Sequence, residues 1–444
     1  MKGLFIALLC VPLALSAQDA VTKLSFEEAV KIGLERNVLL NTQKNQLMGA
    51  QANRLNAIAN FGPGANVTGG WQRQAGQQQS AATGDLENIT SDYFNANINA
   101  NLNIFNGFRA VNYMAQTNNA VMAQGYLIKR GTQDVVALVG TQYLQVLVDQ
   151  ELLKIAEENL KAQQTLLDQI QGFYDVGSRA ITDLYNQDAL TKAAHVSMVR
   201  ARSTLQNDKS ILTQTLQLDP AVDFEVVFPP FDNEVLNYQT ASLDSLINVA
   251  VANRPDIQQN KHLVEAGKYA MRVSMAGFMP SITGYFGYGS FYTTFREESF
   301  KTQFKTNNPS TTYGANFTIP IFTRFQPRAQ YINSKVLYKN ALLTKQNVEK
   351  TVRVDVQRAR NNLINAIEAY NSSLSQFQAG EQALAAQKES YDLGASAQVA
   401  LAQATQTYVL GAASKAQAEV TLLFQKLQLE YALGILQPET YSTK

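Results

Sequence analysis

Cysteine, charge and long apolar runs are all scarce in this chain, and each shortage excludes a class of protein. The single cysteine is Cys10, so the rest of the chain has no disulfides and no thiol chemistry. Charged residues make up 16% of the 444 residues, below the roughly 25% usual for soluble domains. Lys and Arg number 37 against 36 Asp and Glu, a balance that predicts no nucleic-acid partner. No stretch reaches the roughly 18 uninterrupted apolar residues of a transmembrane helix.

The N-terminus has the pattern of a secretory signal peptide. Lys2 supplies the positive start, an apolar stretch covers 4–15, and small residues follow at Ser16 and Ala17. We therefore expect residues 1–17 to be removed and the mature chain to be exported. An exported chain without a transmembrane helix is periplasmic, extracellular or a membrane β-barrel.

The two halves of the chain repeat each other at a shift of 217 residues, the difference between Phe61 and Phe278. The same shift superposes Tyr174 on Tyr391. Each half is predicted to run helix, strand, loop, strand, long helix, turn, long helix. The predicted segments are a first repeat (18–218, strand pair 64–104), a connector (219–241), a second repeat (242–436, strand pair 280–322) and a tail (437–444).

Apolar residues and asparagines alternate without a break between Phe94 and Ile104. Successive side chains of a strand point to opposite faces, so this strand has one apolar face and one amide face. Asparagine is a poor strand former, and a wall between lipid and a wet lumen explains a whole face of it. An ordinary antiparallel sheet with one solvated face is the alternative. In the first interpretation the lumen is lined by Asn95, Asn97, Asn99, Asn101 and Asn103, and lipid is contacted by Phe94, Ala96, Ile98, Ala100, Leu102 and Ile104.

The segments around this strand follow the same scheme. Stretches at 65–72, 281–288 and 313–321 also alternate between apolar and polar residues, which predicts partner strands. Glutamine, serine and glycine between 74 and 91 predict a loop, and 292–310 is the equivalent loop of the second repeat. One helix is expected from Ser25 to Ala59, with Ser25 as its N-cap and Gly62-Pro63-Gly64 after its end.

Each half also carries a strict seven-residue spacing of apolar residues, which keeps one seam of a long helix facing a partner. The predicted helix from Arg109 to Phe173 would be about 98 Å long, more than a globular domain of this size needs. The seam residues are Val139, Val146, Leu153, Leu160, Leu167 and Tyr174, then Val356, Leu363, Tyr370, Phe377, Leu384 and Tyr391.

With its repeat, strands and long helices, the chain resembles the TolC-like outer-membrane efflux proteins. The local motifs are the junction Ile104-Phe105-Asn106-Gly107-Phe108 and the turn Tyr174-Asp175-Val176-Gly177, both with counterparts in the second half. The resemblance implies a mixed α+β membrane protein and a homotrimer. In that trimer, four strands per protomer form one shared 12-stranded β-barrel, followed by a long periplasmic α-helical barrel.

The resemblance also implies a location and a function. The protein would sit in the outer membrane of a Gram-negative bacterium, with most of the chain in the periplasm. It would serve as the passive exit duct of a tripartite efflux pump or a type I secretion system. Its partners would be a periplasmic membrane-fusion adaptor and an inner-membrane pump, besides outer-membrane lipid.

Two sets of hairpin residues follow from the resemblance. The hairpin tips would dock the adaptor, although Gly177 and Gly394 are also simply what a turn requires. The periplasmic gate of the family often uses carboxylates and an Arg–Asp network after the second tip, where this chain has Ser396, Ala400 and Gln403. The expected tip set is Tyr174, Asp175, Val176, Gly177, Tyr391, Asp392, Leu393, Gly394 and Ala395. The expected gate set is Arg179, Thr182, Asp183, Tyr391 and Gln403, with ordinary solvated tip charges as the alternative for Arg179 and Asp183.

Catalytic and metal-binding patterns do not emerge from the sequence. The two histidines, His195 and His262, lie far apart in helical segments and are expected to be solvated. We find no nucleophile–base pair and no nucleotide motif, so the sequence predicts neither an enzyme nor a cofactor. The alternative to a duct is an exported coiled-coil protein that acts in adhesion or as an envelope spacer, without a pore.

Overall fold

The computed structural model describes residues 22–79, 84–221, 223–228 and 241–436. The predicted signal peptide and the tail 437–444 lie outside the described residues, as does much of the connector. The mixed α+β class is confirmed. The strands are β1 (Thr22–Leu24), β2 (Gly64–Gln79), β3 (Leu86–Phe105), β4 (Phe224–Val226), β5 (Ser281–Thr293) and β6 (Ser310–Thr318). The helices are α1 (Phe26–Arg36), α2 (Val38–Ala59), α3 (Arg109–Asp175), α4 (Ile181–Leu216), α5 (Leu243–Asn253), α6 (Pro255–Met275), α7 (Gln326–Asp392) and α8 (Gln398–Leu433), besides shorter turns.

The long helices of the two halves match in length and position. α3 and α7 each contain 67 residues, and α4 and α8 each contain 36. Arg109 and Gln326, which begin α3 and α7, are separated by the same 217 positions as the sequence repeat. The helix expected over 109–173 is therefore confirmed, with two further residues at its end.

The single helix expected from Ser25 to Ala59 is wrong, because the chain breaks at Asn37, where ψ is 120°. Ser25 caps α1 as predicted, and its Oγ accepts a hydrogen bond from the Glu28 N–H at 3.2 Å. The second half breaks at the equivalent residue, Arg254, where ψ is 122°. There Pro255 disfavours a helical conformation of the residue before it.

The described residues form two compact units, and each unit draws on both halves of the sequence. The sheet unit lies within Leu39–Gly131 and Ile247–Asp355, and the hairpin unit within Met1–Val38, Thr132–Leu246 and Val356–Lys444. The division into two sequence repeats stays a prediction about how the chain is organised along its length.

The sheet unit is built around an antiparallel sheet with the order β2-β3-β5-β6. The loop expected over 74–91 is shorter, because β2 pairs with β3 from Gly64 out to Gln79. A bidentate ion pair between Arg73 and Asp92, with a shortest distance of 2.8 Å, joins the two strands in that region. The strand expected to reach Ile321 is also wrong at its end, since β6 stops at Thr318, before Pro320. Proline lacks the N–H that a strand ladder needs.

Packing in the hairpin unit centres on Tyr143 of α3, which is fully buried. Its hydroxyl lies 2.9 Å from the carbonyl oxygen of Leu24 and 2.6 Å from that of Val227, beside the parallel pair β1–β4. The ring of Phe26 packs edge-on against it at 5.5 Å. A buried tyrosine hydroxyl requires such partners, so this contact attaches the small sheet to α3.

The seven-residue seam is buried unevenly within a single chain. Val139, Val146 and Val356 are fully buried, whereas Leu153, Leu160 and Leu167 farther along α3 are half-buried and Tyr174 is exposed. A single chain therefore covers only part of the seam. Within the described ranges, no helix combines the length and the apolarity needed to cross a membrane.

Candidate functional site

The odd-numbered asparagines of β3 share one face of the sheet with small and polar residues of its neighbours. Asn97 pairs with Gly289, and Asn99 pairs with Gly287. A Cβ atom at Gly289 would overlap the Asn97 side chain, so the amide occupies space that only glycine leaves free. The face encloses a polar concavity of about 650 Å³, lined by Asn66, Asn97, Asn99, Asn101, Tyr285, Ser310, Thr312 and Asn316 among others. The predicted lumen residues Asn95, Asn97, Asn99, Asn101 and Asn103 all fall on this face by register.

The even-numbered residues of β3 share the opposite face with apolar side chains. Ile98 pairs with Val67 and Tyr288, and Phe94 pairs with Trp71 and Tyr292. Most of these side chains are open in the single chain, Val67 at 74% exposure, whereas Phe94 and Tyr292 are half-buried. The other residues predicted to contact lipid lie on this face too: Ala96, Ala100, Leu102 and Ile104. Ile104 reaches it at a β-bulge, where its side chain lies against Gly284. One face is thus polar and the other apolar, and their contacts with water and lipid remain predictions.

The hairpin tips at 177 and 394 have the same backbone design. Gly177 has φ 78° and Gly394 has φ 74°, in the left-handed region where glycine costs least. Each glycine N–H donates to the carbonyl of the tyrosine three residues earlier, at 2.8 Å for Tyr174 and 3.0 Å for Tyr391. These contacts end α3 and α7 as glycine C-caps.

The rest of the predicted tip set surrounds these glycines. An open apolar side chain precedes each one, Val176 at 76% and Leu393 at 78% exposure. Asp175, Asp392 and Ala395 are exposed as well, and the Asp175 carboxylate accepts a hydrogen bond from the Gln171 amide at 2.7 Å. Each tip therefore presents one apolar side chain beside one carboxylate.

The two tip tyrosines differ although their sequences match. Tyr174 is 36% exposed, whereas Tyr391 is 6% exposed and lies under Arg179, whose guanidinium carbon is 5.0 Å from the ring centre. Burial raises the pKa of the Tyr391 phenol; Arg179 opposes this shift, while Asp183 and Asp392 add to it. The structure therefore brings Arg179, Asp183 and Tyr391 of the predicted gate together.

A buried chain of glutamines joins the two hairpins beside this cluster. The amide of Gln187 in α4 donates to the side-chain oxygen of Gln163 in α3 at 2.7 Å. Gln398, the first residue of α8, donates to the Gln187 side chain at 3.1 Å and to the Asp183 carbonyl at 3.3 Å. Gln187 is fully buried, so these bonds satisfy amides that water does not reach.

Two members of the predicted gate set lie outside this arrangement. Thr182 and Gln403 are both exposed. Among the described residues, no side-chain hydrogen bond joins either of them to Arg179 or to Tyr391. The sequence reasoning missed Gln163, Gln187 and Gln398, and one signal was available. Gln163 lies three residues after the seam residue Leu160, where a seven-residue pattern expects an apolar side chain.

A second buried polar group in the hairpin unit stands at another such seam position. Asp149, three residues after Val146, is 3% exposed, and Gln145 donates to its Oδ1 at 3.2 Å. Burial, together with the nearby Asp208 carboxyl on α4, raises the pKa of the Asp149 carboxyl to about 7, while the bond from Gln145 acts in the opposite direction. Two carboxyls so close favour sharing one proton.

Within the segments that the structure describes, the histidines and acidic residues do not assemble a metal site. Among the described residues, no group of three or more His, Cys, Asp or Glu side chains could hold a metal ion. His195 is exposed, as predicted, but His262 is half-buried, with its Nδ1 3.0 Å from Asn119 Oδ1 and its ring stacked on Tyr126. His262 is therefore only partly solvated, unlike the solvated position expected from the sequence.

The two-faced antiparallel sheet and the paired long hairpins together define an α+β channel of the outer-membrane type. A family model described as Outer membrane efflux protein matches residues 30–216 and again 246–435. The chain belongs to this family. The resemblance found in the sequence is thereby confirmed.

Individual relatives agree with this assignment. The pyoverdine export outer membrane protein OpmQ of Pseudomonas aeruginosa is 25% identical over 344 residues, which cover 72% of this chain and 69% of OpmQ. The toluene efflux pump outer membrane protein TtgC of Pseudomonas putida is 27% identical over 51% of this chain, and the match spans only 46% of TtgC. The solved outer membrane channel CmeC of Campylobacter jejuni has the same fold, with a TM-score of 0.80 at 16% identity over 92% of this chain and 85% of CmeC. The chain is an outer-membrane efflux channel of a Gram-negative bacterium, as its sequence predicted.

Proposed function

We propose that the protein is a passive exit duct that closes its barrel as a homotrimer. The observation that carries this proposal is the open sheet. Its order is β2-β3-β5-β6, so β2 and β6 each keep one edge without a strand partner within the described residues. In lipid an unpaired backbone N–H or C=O costs several kcal/mol, so both edges must pair with other copies of the chain.

The number of copies follows from closure. Four strands per chain build eight strands from two copies or twelve from three. The resemblance to the TolC-like proteins favours three. In the closed barrel the amide face would line the water-filled lumen, and the apolar face would contact lipid.

Cysteine cross-linking tests the number of copies directly, because the chain beyond Cys10 has no cysteine. One cysteine on each edge strand, such as Thr68→Cys and Asn316→Cys, allows disulfides between neighbouring copies after oxidation. We expect a ladder on a denaturing gel that ends at the trimer, while either single variant stays monomeric because each interface needs one thiol from β2 and one from β6. A double variant whose ladder ends at the dimer would overturn the twelve-stranded barrel.

The efflux partners are proposed by the same reasoning. TtgC is named as part of a toluene efflux pump, and a passive duct of this kind needs a pump to supply energy. We propose that an inner-membrane pump and a membrane-fusion adaptor act with this chain, in tripartite efflux or in type I secretion. The tips at Gly177 and Gly394 are the proposed docking points, since each exposes an apolar side chain beside a carboxylate.

The gate is proposed at the contact between the two hairpins. Arg179, Asp183 and Tyr391 form its centre, and Gln398 ties α8 to α4 beside them. Thr182 and Gln403 stay in the gate proposal as exposed residues of the same hairpins. Because Ser396, Ala400 and Gln403 stand where the family often has carboxylates and an arginine, we expect weaker cation selectivity than an acidic ring produces.

Planar-bilayer recording tests the duct itself. The purified oligomer should form discrete conducting channels, with at most a modest preference for cations over anions. Absence of conductance together with absence of a detergent-stable oligomer would favour the coiled-coil adhesion alternative. Strong cation preference would overturn the proposed gate and leave the duct intact.

A further inference from the structure

The connection between β5 and β6 folds onto the apolar face of the sheet instead of the amide face. This rim loop (294–309) contains a short helical segment, Phe300–Thr302 followed by Gln303–Asn307. The ring of Phe300 lies 5.2 Å from Tyr292, and the ring of Phe304 lies 5.7 Å from Phe94. Phe94 and Tyr292 are cross-strand partners, so both belong to the apolar face.

The rim loop is held in this position by polar contacts. Gln303 is fully buried, and its amide group bonds to the backbone of Thr293 at 3.0 and 3.1 Å and to the Glu298 carbonyl at 2.8 Å. The Ser290 hydroxyl donates to the Phe304 carbonyl at 2.6 Å. Asn308 donates to the Phe291 carbonyl at 2.8 Å. These hydrogen bonds fix the rim loop to β5 within the sheet unit.

The loop presents lysines next to its phenylalanines. Phe300 and Phe304 are four residues apart and face the sheet, while Lys301 and Lys305 follow each of them and are exposed. No ion pair within the described residues engages either lysine. Arg296 bonds to Asn308 at 3.3 Å, the Glu298 carboxylate accepts from Asn307 at 3.2 Å, and Glu297 is exposed.

Near the rim loop, the apolar face of the sheet passes from aliphatic to aromatic and then to charged side chains. Val67 and Ile98 are followed along their strands by the aromatic pair Trp71 and Phe94, and then by the ion pair of Arg73 with Asp92. Aromatic residues followed by charged ones mark the boundary between hydrocarbon and headgroups on a membrane barrel. The rim loop continues this boundary from β3 to β5 and β6, since the Asp92 N–H bonds to Thr294 Oγ1 at 2.7 Å.

We propose that the rim loop binds anionic lipid headgroups at the outer edge of the barrel. Phe300, 48% exposed, would enter the boundary region, while Lys301 and Lys305 pair with lipid phosphate. The occupant is a phosphate-bearing lipid because two exposed lysines stand beside a sheet face whose apolar side chains, such as Val67 and Ile98, are exposed. The inference rests on the proposed lipid-facing assignment of that face.

Trp71 is a local reporter, because it is the only tryptophan of the chain and pairs with Phe94. The channel is reconstituted into two series of vesicles. One series contains brominated anionic phosphatidylglycerol diluted in unbrominated phosphatidylcholine, and the other contains brominated zwitterionic phosphatidylcholine diluted in unbrominated phosphatidylglycerol. We expect the anionic lipid to quench Trp71 at lower mole fraction, and the preference to fall as salt rises. Inorganic phosphate should displace the anionic lipid from the loop no better than chloride does at equal ionic strength.

Variants assign the preference to the loop. Lys301→Gln with Lys305→Gln should weaken the anionic preference by about fivefold for each lysine. The matched control, Lys154→Gln with Lys388→Gln, removes two exposed lysines of the hairpin unit and should keep the preference. Equal quenching by both lipids in the unaltered protein would overturn the headgroup inference and support the lipid-facing assignment. No quenching by either lipid would overturn both.

Discussion

The guanidinium carbon of Arg179 lies 5.0 Å from the ring centre of Tyr391, so an arginine after the first tip covers a tyrosine before the second. The Tyr391 hydroxyl is buried and finds no hydrogen-bond partner among the residues that the structure describes. The equivalent Tyr174 is 36% exposed, which makes the contact specific to one of two matching sequences. The two hairpins are therefore joined asymmetrically at this contact, beside the bonds that Gln398 makes to Gln187 and Asp183.

Replacing Arg179 should loosen the proposed gate. A cation–π contact contributes about 0.5–1 kcal/mol at an exposed site, so Arg179→Gln should raise the open fraction roughly two- to fivefold. Open probability in planar bilayers measures this. Arg200→Gln removes an exposed arginine of α4 and serves as the control. Equal open probability in both variants would contradict the role of Arg179.

The glutamine chain offers a second test within the hairpin unit. Gln398→Ala leaves the buried amide of Gln187 without one partner, which costs about 1–3 kcal/mol. We expect a lower unfolding temperature of the detergent-solubilised protein and more frequent channel opening. Gln403→Ala, at an exposed position of the same helix, should change the unfolding temperature little. The reverse order of effects would restore Gln403 to the centre of the gate.

Substitution at the second tip separates docking from turn geometry. Gly394→Val introduces a β-branched residue at φ 74° and a bulky side chain at the proposed docking point, so efflux should fall while the trimer persists. Gly394→Asn adds a side chain that tolerates the left-handed conformation. Drug susceptibility and gel mobility of the oligomer measure the two effects. Normal efflux in the valine variant would argue against docking at this tip.

Asp149 should make the hairpin unit less stable as pH rises. Its pKa is raised to about 7 in the folded chain from 3.8, so the folded state holds a proton that the unfolded state has lost between these values. The free energy of unfolding therefore falls from about pH 4 to about pH 7, by about 1.4 kcal/mol for each unit of pKa difference. Asp149→Asn should flatten this dependence in thermal melts and be the more stable protein at about pH 8. Asp168→Asn, an exposed control on α3, should keep it.

Two neighbouring residues of β3 test the faces of the sheet. Ile98→Arg places a charge on the face proposed to contact lipid, at a cost of about 2–4 kcal/mol for each copy near the bilayer midplane. Asn99→Arg places the same charge on the amide face. We expect the first variant to fail in membrane assembly and the second to form the oligomer with altered conductance. Similar behaviour of the two variants would contradict the assignment.

The sequence by itself determined the elements and their faces. Alternation at Phe94–Ile104 settles which residues share a face, because the side-chain period of a strand is two. The C-terminal ends of α3 and α7 follow from a seven-residue pattern that runs up to a glycine in each half. The break at Asn37 was missed because the residue after it is Val38, whereas Pro255 marks the same break in the second half.

Tertiary structure decided what the repeat could not distinguish. Tyr174 and Tyr391 match in sequence, and Arg179 covers only the second, since contacts between hairpins depend on packing and not on local pattern. The tertiary structure also decided on which side of the sheet the rim loop lies. Hydrogen bonds from Gln303 to the Thr293 carbonyl and from Ser290 to the Phe304 carbonyl hold it there. Burial of Gln187 and Asp149 followed from the helices that surround them, because a polar side chain signals its own burial only through a break in the apolar seam.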